Sequence, residues 1–199
     1  MSPRACFLLT RVLIAVATTC AAAAAAQAQP VTYTLDPDRS FVHFEIVHFG
    51  TSTSRGRFGP LSGSVVLDRT AGRGEVSVRV ATAAVSTGIP VFDAVLRGAD
   101  LLSSTAHPEA YFVARTVRFE AGQPAEVRGE FTLRGISQGL TLRALAFACR
   151  AESAGSTAGE TCGGNFEGEL SRSEFGITHG LPVVADRVRL RVQVEASRR

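Results

Sequence analysis

Four histidines are the side chains of this sequence best suited to acid–base or metal chemistry, but their spacing fits neither role. No H-E-x-x-H or comparable metal-ligand spacing contains them, and they are His43, His48, His107 and His179. The chain also has no G-x-S-x-G elbow and no phosphate-binding glycine loop. We therefore expect a protein that is not an enzyme and that uses no metal and no cofactor. His48 is the exception of interest, because it shares the two-residue phase of Phe44 and Ile46 and would turn inward with them.

Asp93 and Arg97 stand four residues apart in a segment with helical spacing of its apolar residues. A carboxylate and a guanidinium at this spacing form surface ion pairs on helices, so we interpret the two residues as structural. Arg97 and Arg172 are kept as the candidates for holding a charged ligand headgroup.

Cys149 and Cys162 flank a stretch, residues 150–161, that is rich in Ala, Ser, Gly and Glu and has no apolar periodicity. This composition is typical of a loop that joins two strands, and a disulfide would clamp it. A metal pair or a redox-active pair is the alternative, but the spacing differs from C-x-x-C and no histidine lies nearby. The sequence favours the disulfide.

The first 28 residues have the composition of a cleaved signal peptide. Arg4 and Arg11 precede the alanine-rich run of residues 12–26, and Ala26-Gln27-Ala28 matches the small-residue pattern before a cleavage site. A membrane anchor is the rival interpretation, but the run is short and relies on alanine, which contributes little to insertion. We expect a periplasmic or secreted protein whose mature domain spans residues 29–199, in a compartment that permits disulfides.

Composition sets the class of the mature domain. The 199-residue chain is 45% hydrophobic and 20% charged, which suits one globular domain. Its formal charge of +3 is small, and its basic residues, all of them arginine, are spread along the chain. Nucleic acid is therefore not an expected partner.

A period of two predicts about eight β-strands. The alternation is strict over residues 187–195 and recurs within residues 42–47, 62–68, 76–80, 111–119, 127–133, 140–148 and 165–172. Glycine- and proline-containing turns separate these segments. Residues 91–104 interrupt this alternation and predict a short helix or two helical turns that cap the sheet. The expected fold is all-β, an antiparallel barrel or sandwich.

The predicted inner faces mix large and small residues, which leaves two interpretations of the interior. Phe44, Phe112, Phe131 and Phe166 would point inward, and so would the small residues Gly63, Gly129, Gly168, Ala114, Ala144, Ala146 and Ala148. The small residues could serve barrel curvature, with the interior filled by side chains. They could instead leave a narrow apolar lumen for a chain-like lipid.

Five motifs in the right order resemble the YceI-like family of periplasmic polyisoprenoid-binding proteins. Residues 36–40 (DPDRS), with 42–50 and 56–58 behind them, resemble the opening of the family. Residues 93–102 (DAVLRGADLL) resemble its D-x-H-L-R-x-x-D-F-F helix, and Pro108 with Phe112 fits the strand that follows. Residues 129–136 (GEFTLRGI) and 172–177 (RSEFGI) resemble its last two motifs. This chain departs from the family pattern at Arg39, Val95, Leu101 and Leu102.

The resemblance implies a lipocalin-like barrel that carries or scavenges a polyisoprenoid, an isoprenoid quinone or a fatty-acyl lipid in its lumen. The alternative is a non-enzymatic envelope module with a self-filled barrel that binds another protein, and association into a homodimer stays open. The expected ligand-binding residues are Phe44, His48, Leu96, Phe112, Gly129, Phe131, Phe166 and Gly168.

Overall fold

A computed structural model describes residues 29–151 and 159–198. These residues form ten strands and one α-helix, so the predicted signal peptide at residues 1–28 lies outside them. The elements run β1 (Val31–Leu35), β2 (Phe41–His48), β3 (Ser52–Phe58), β4 (Leu61–Asp68), β5 (Arg73–Ala81), α1 (Pro90–Leu96), β6 (Glu109–Glu120), β7 (Gln123–Leu133), β8 (Ile136–Ala151), β9 (Glu160–Ser171) and β10 (Val184–Arg198). Two 3₁₀ turns, Thr82–Ala84 and Arg172–Phe175, complete them.

The strands close into an antiparallel barrel of eight. β4 to β10 pair in chain order, and β1 closes the ring because it pairs with β4 on one edge and with β10 on the other. β2 continues along the edge of β10 beyond β1, and β3 pairs with β2. The predicted lipocalin-like all-β barrel with a short helix is confirmed.

Alternation along the strands separates an apolar inside from a charged outside. In β10 the inward residues Val188, Leu190 and Val192 alternate with three arginines that point outward. Those arginines reach carboxylates on the neighbouring strands: Arg187 and Arg189 lie 3.3 Å and 3.5 Å from Glu169. Exposed ion pairs of this kind contribute about 1 kcal/mol or less each. Burial of the apolar inner face therefore contributes more to the stability of the fold than these ion pairs do.

The strand registers show which connections lie at each end of the barrel. The pairs Val184↔His48, Leu133↔Ile136 and Ala81↔Glu109 bring four connections to one end, named here the mouth. These connections are residues 49–51, 82–108, 134–135 and 172–183. The opposite end, named the closed end, is sealed by a small buried cluster of Tyr33, Leu67, Cys162 and Ala196.

The short helix predicted within residues 91–104 is α1, which occupies the first half of that segment. α1 ends at Leu96, and residues 97–108 continue as turns that pack against the end of β7, where Arg134 donates hydrogen bonds to the carbonyls of Ala99 (2.9 Å) and Leu101. Gly98 and the turn-forming residues after it end the helix. Among the described residues, no helix is long and apolar enough to cross a membrane.

A β-bulge overturns the prediction that Ala146 and Ala148 face inward. Ala144 pairs with Phe166 and Ala146 with Asn165, so Leu145 is an extra residue without a partner on β9. The extra residue reverses the alternation beyond it. As a result Phe147 lines the interior, whereas Ala146 and Ala148 are exposed.

Candidate functional site

The interior of the barrel is a cavity of 810 Å³ that extends from the mouth to the closed end. Six of the residues that the sequence assigned to ligand binding line it: Phe44, His48, Leu96, Phe112, Phe131 and Phe166. Valine and leucine side chains from β4, β5, β7, β8 and β10 make up most of the remaining wall. The volume lies in the range of small-molecule and cofactor sites.

The cavity is a true hollow, because many inward side chains do not fill it. Val42, Phe44, Val78 and Val192 all face the lumen and are only half-buried, although they sit inside a closed barrel. Their remaining accessible surface is lumen wall. A barrel filled by its own side chains, the alternative that the sequence left open, does not match this interior.

A polar network seals the closed end. The Tyr33 hydroxyl donates to a Glu160 carboxylate oxygen, and Arg69 Nη2 donates to both of them at 2.7 Å. Burial, followed by the hydrogen bond to Glu160, raises the pKa of Tyr33. The same hydrogen bond, with a smaller effect of Arg69, lowers the pKa of Glu160. The Tyr33 ring therefore presents carbon to the lumen while its hydroxyl is held outside.

Polar lining residues gather near the mouth. They are His48, Ser54, Thr82, Arg172 and His179. The Thr82 hydroxyl is already engaged, because it donates to the His107 carbonyl at 2.7 Å. The His48 ring packs edge-on against Phe49 with centroids 4.3 Å apart. His48, Ser54 and His179 are therefore the side chains best placed to meet a polar group at this end.

Arg172 lies at the mouth, but its guanidinium serves the fold. It is 5% exposed and donates to four backbone carbonyls, those of Ile177 (3.0 Å), His179 (2.7 Å), Val184 (2.9 Å) and Ala185 (2.9 Å). Burial lowers the pKa of Arg172. Four of its five N–H donors are taken, so the structure gives Arg172 the role of clamping the 172–185 connection, in place of the headgroup role that the sequence suggested.

Arg97 and Asp93 do not form the expected ion pair. The Asp93 carboxylate is buried and accepts hydrogen bonds from the Thr87 backbone N–H (2.7 Å) and hydroxyl (2.6 Å). These two bonds lower the pKa of Asp93, with the charge of Arg97 a minor contribution. Arg97 is the C-cap residue of α1 and does not line the lumen. Its assignment to a ligand headgroup has no support in this geometry.

Gly129 and Gly168 share the inward phase but do not line the lumen, contrary to the sequence prediction. A Cβ at Gly129 would lie 2.5 Å from the Val113 carbonyl oxygen and 2.8 Å from the Phe112 ring. A Cβ at Gly168 would lie 2.8 Å from Leu142 Cδ2 and from the Thr141 carbonyl oxygen. Both glycines let neighbouring strands and side chains approach closely, which is the curvature role.

Cys149 and Cys162 are joined by a disulfide between β8 and β9, beside the closed end. Together with Glu160 they are the one grouping of potential metal ligands within the described ranges. With the two sulfurs joined, neither is available as a thiolate ligand.

Several lumen residues were missed by the sequence analysis. Tyr33 lies on β1, where Val31, Tyr33 and Leu35 alternate with Thr32 and Thr34, so a signal was present. β3 (STSRGRF) has no comparable apolar alternation. His179 lies in a connection without periodicity, and only the fold brings it to the lumen.

A closed antiparallel barrel with a hollow apolar interior and a helix beside its opening defines the lipocalin-like class of protein. Within that class the chain belongs to the YceI-like family, since the family's YceI-like domain matches residues 33–196.

Proteins similar in sequence match this chain over most of their length. A UPF0312 protein of Pseudomonas aeruginosa strain LESB58 is 29% identical over 194 residues, which is 96% of this chain and all of the relative. Protein YceI of Shigella flexneri is 30% identical over 166 residues, covering 82% of this chain and 85% of the relative.

Solved structures share the fold. BcnA of Burkholderia cenocepacia superposes with a TM-score of 0.67 at 20% identity, covering 81% of this chain and 98% of BcnA. A polyisoprenoid binding domain from Saccharophagus degradans superposes with a TM-score of 0.57 at 18% identity, covering 85% of this chain and 99% of that domain.

Proposed function

We propose that this protein is a periplasmic or secreted carrier or scavenger that holds one long-chain isoprenoid or fatty-acyl lipid in its lumen. The observation that carries the proposal is the apolar cavity of 810 Å³ inside the barrel, which opens at the mouth and whose unengaged polar groups gather at that end. Each CH₂ group moved from water into such a cavity is favourable by about 0.8 kcal/mol. No catalytic step is needed for this function.

The shape of the lumen favours a chain-like ligand. Its wall follows β10 from Val184 to Ala196, which at about 3.3 Å per residue and the usual barrel tilt makes it roughly 30 Å long. A cavity of 810 Å³ spread over that length is narrow. The closed end offers carbon from Tyr33 and the mouth offers His48, Ser54 and His179, so the tail would lie toward Tyr33 and a polar head toward the mouth.

A structural neighbour supports the same ligand class. It is a polyisoprenoid binding domain. Polyisoprenoids are long, chain-like and almost wholly apolar. An isoprenoid quinone or a fatty-acyl lipid has the same general shape with a larger polar head.

Mass spectrometry of lipids extracted from the purified protein tests this function. One long-chain lipid per protein, recovered from wild type and lost when a lumen residue is enlarged, is the expected result. A wild type that carries no lipid, even after exposure to envelope extracts, would instead point to the module that binds a protein partner.

Export is a separate part of the proposal. The amino-terminal composition supports cleavage after Ala28, so protein recovered from the periplasm should begin at Gln29. Amino-terminal sequencing checks this, and an uncleaved terminus on a membrane-bound product would overturn it.

A further inference from the structure

Exposed apolar side chains are concentrated at the mouth of the barrel. Of the large apolar residues that are exposed in the described part of the chain, seven lie on the connections at this end or at the start of α1. They are named here the mouth rim: Phe49, Ile89, Val91, Phe92, Val95, Leu181 and Val183. The largest exposed fractions are 79% for Val91 and 68% for Phe49.

Three separate segments contribute these side chains. Phe49 directly follows β2, four others lie at the N-cap of α1 and on the helix itself, and Leu181 with Val183 precede β10. A hydrogen bond of 2.8 Å from the Phe49 N–H to the Val183 carbonyl joins the first segment to the third. The rim therefore borders the opening from more than one side and does not form a flat patch on the barrel wall.

The rim is almost free of charge. Residues 47–54, 87–96 and 177–185 contain one formally charged residue, Asp93, and the next charged residues along the chain are Arg55, Arg97 and Asp186, directly outside these ranges. The Asp93 carboxylate is buried and hydrogen-bonded to Thr87, so it adds no charge to the surface. The uncharged apolar rim matches the hydrocarbon boundary of a lipid layer, and the arginines that flank it match the headgroup region.

Phe49 is held in an unfavourable backbone conformation while it is exposed. Its φ is 53°, in the left-handed region that bulky residues rarely adopt. Burial does not explain this placement, because the side chain is 68% exposed. Strained, exposed aromatic residues of this kind are found at functional surfaces.

The rim is continuous with the lumen wall. Phe92, Val95, Leu181 and Val183 are exposed at the rim and also line the cavity, so apolar surface leads without interruption from the outside to the interior. We propose that the mouth rim inserts into the surface of a lipid bilayer, so that a lipid passes between bilayer and lumen without crossing water. This inference rests on the proposed lipid-binding function and adds the surface from which the lipid is taken.

Phe49 and Val91 allow a clean test because neither lines the lumen. Asp is compatible with the left-handed backbone of residue 49 and with the first turn of α1 at residue 91. The test variant is Phe49→Asp with Val91→Asp. The control is Val113→Asp with Leu145→Asp, which changes charge equally on the outer wall at residues that are 46% and 48% exposed.

Two measurements are made on each protein: co-flotation with vesicles of phosphatidylcholine, and binding of the fluorescent fatty acid parinaric acid from solution. We expect the rim variant to lose vesicle affinity by about tenfold or more, while the control keeps it. Parinaric acid binding should be unchanged in both variants. Transfer of parinaric acid from vesicles to protein should slow in the rim variant alone.

Each failure has its own signature. A wild type that does not bind parinaric acid refutes the proposed function. If wild type binds parinaric acid but flotation and transfer are equal for the rim variant and the control, membrane insertion by the mouth rim is refuted. Lipid binding in the lumen is then still supported. A wild-type dimer in light scattering that becomes monomeric only in the rim variant would assign the rim to a second copy of this chain.

Discussion

At the scale of single residues, substitutions of Arg172 test whether this residue has a structural role or binds the ligand. Its guanidinium donates to two carbonyls of the 172–183 connection and to two at the start of β10. Arg172→Met leaves one buried and three partly buried carbonyls without their donors, and we expect a loss of about 3 kcal/mol in the free energy of unfolding. Chemical denaturation measures it. Arg187→Met, which removes an exposed ion pair to Glu169, is the control and should change stability by about 0.5 kcal/mol or less.

The outcome for Arg172→Lys sharpens this test. Lysine keeps the charge but presents its donors from one atom, so it cannot reach four carbonyls that surround a planar fork. A clamp predicts that Arg172→Lys is also destabilised. A variant that is as stable as wild type but no longer retains lipid would restore Arg172 as a headgroup ligand.

Asp93 makes the stability of the folded protein depend on pH in the acid range. Hydrogen bonds from Thr87 lower the pKa of Asp93 in the folded protein. The stabilisation is therefore fully present above the ordinary aspartate pKa of about 4 and is lost as the pH falls through the lowered folded pKa. Asp93→Asn should be less stable than wild type at neutral pH, and the difference should shrink below about pH 4.

Thermal melting from neutral to acid pH measures the effect of Asp93. Asp100→Asn, on an exposed turn after the helix, is the control and should follow the wild-type curve. A difference between Asp93→Asn and wild type that stays constant at every pH would mean that the carboxylate charge does not contribute.

At the scale of elements, glycines set how closely neighbouring strands approach. A Cβ at Gly129 would lie 2.5 Å from the Val113 carbonyl oxygen, whereas a Cβ at Gly139 would meet nothing within 4 Å. Gly129→Ala should lower the free energy of unfolding by about 1 to 3 kcal/mol, and Gly139→Ala should be close to neutral. Denaturant titration of both variants checks this pair. Equal stability would show that β6 and β7 can separate at no cost.

The disulfide acts on the same scale because it ties β8 to β9. The two cysteines are separated by 13 residues, and a loop of this length predicts about 3 kcal/mol of stabilisation. Reductant should therefore lower the melting temperature of wild type and leave a variant with both Cys149→Ser and Cys162→Ser unchanged. Alkylation of oxidised, denatured mature protein should find no free thiol, and two labelled thiols would refute the bridge.

Elements also show what the sequence could predict and what it could not. Alternation predicted the barrel and the inward faces of Phe44, Phe131 and Phe166, because burial selects apolar residues at every second position. It failed beyond Leu145, where one extra residue in the ladder reverses the phase without a signal in composition. Alternation predicts the inward phase of Gly129, but it does not reveal that the Phe112 ring lies over this glycine. The carbonyls around Arg172 come together through a connection without periodicity, so its clamp could not be inferred from spacing.

At the scale of the whole molecule, filling the lumen should raise global stability. A ligand that binds only the folded barrel stabilises it by about 2.7 kcal/mol at a hundred times its dissociation constant. For a domain of this size that corresponds to a rise in melting temperature of about 5 to 10 °C. Delipidated protein melted with and without parinaric acid measures the rise.

A variant with a smaller lumen tests whether that rise comes from the cavity. Val76 is half-buried, lines the lumen and pairs with the small residue Ala114, so Val76→Phe places a larger side chain in the cavity. Because the barrel is hollow there, we expect Val76→Phe to fold with a melting temperature near that of delipidated wild type and to lose most of the rise with parinaric acid. Val113→Phe adds the same volume to the outer wall and should keep the full rise. A variant at Val76 that shows the wild-type rise would place the bound chain away from β5, and one that is strongly destabilised would show that this part of the interior is already packed.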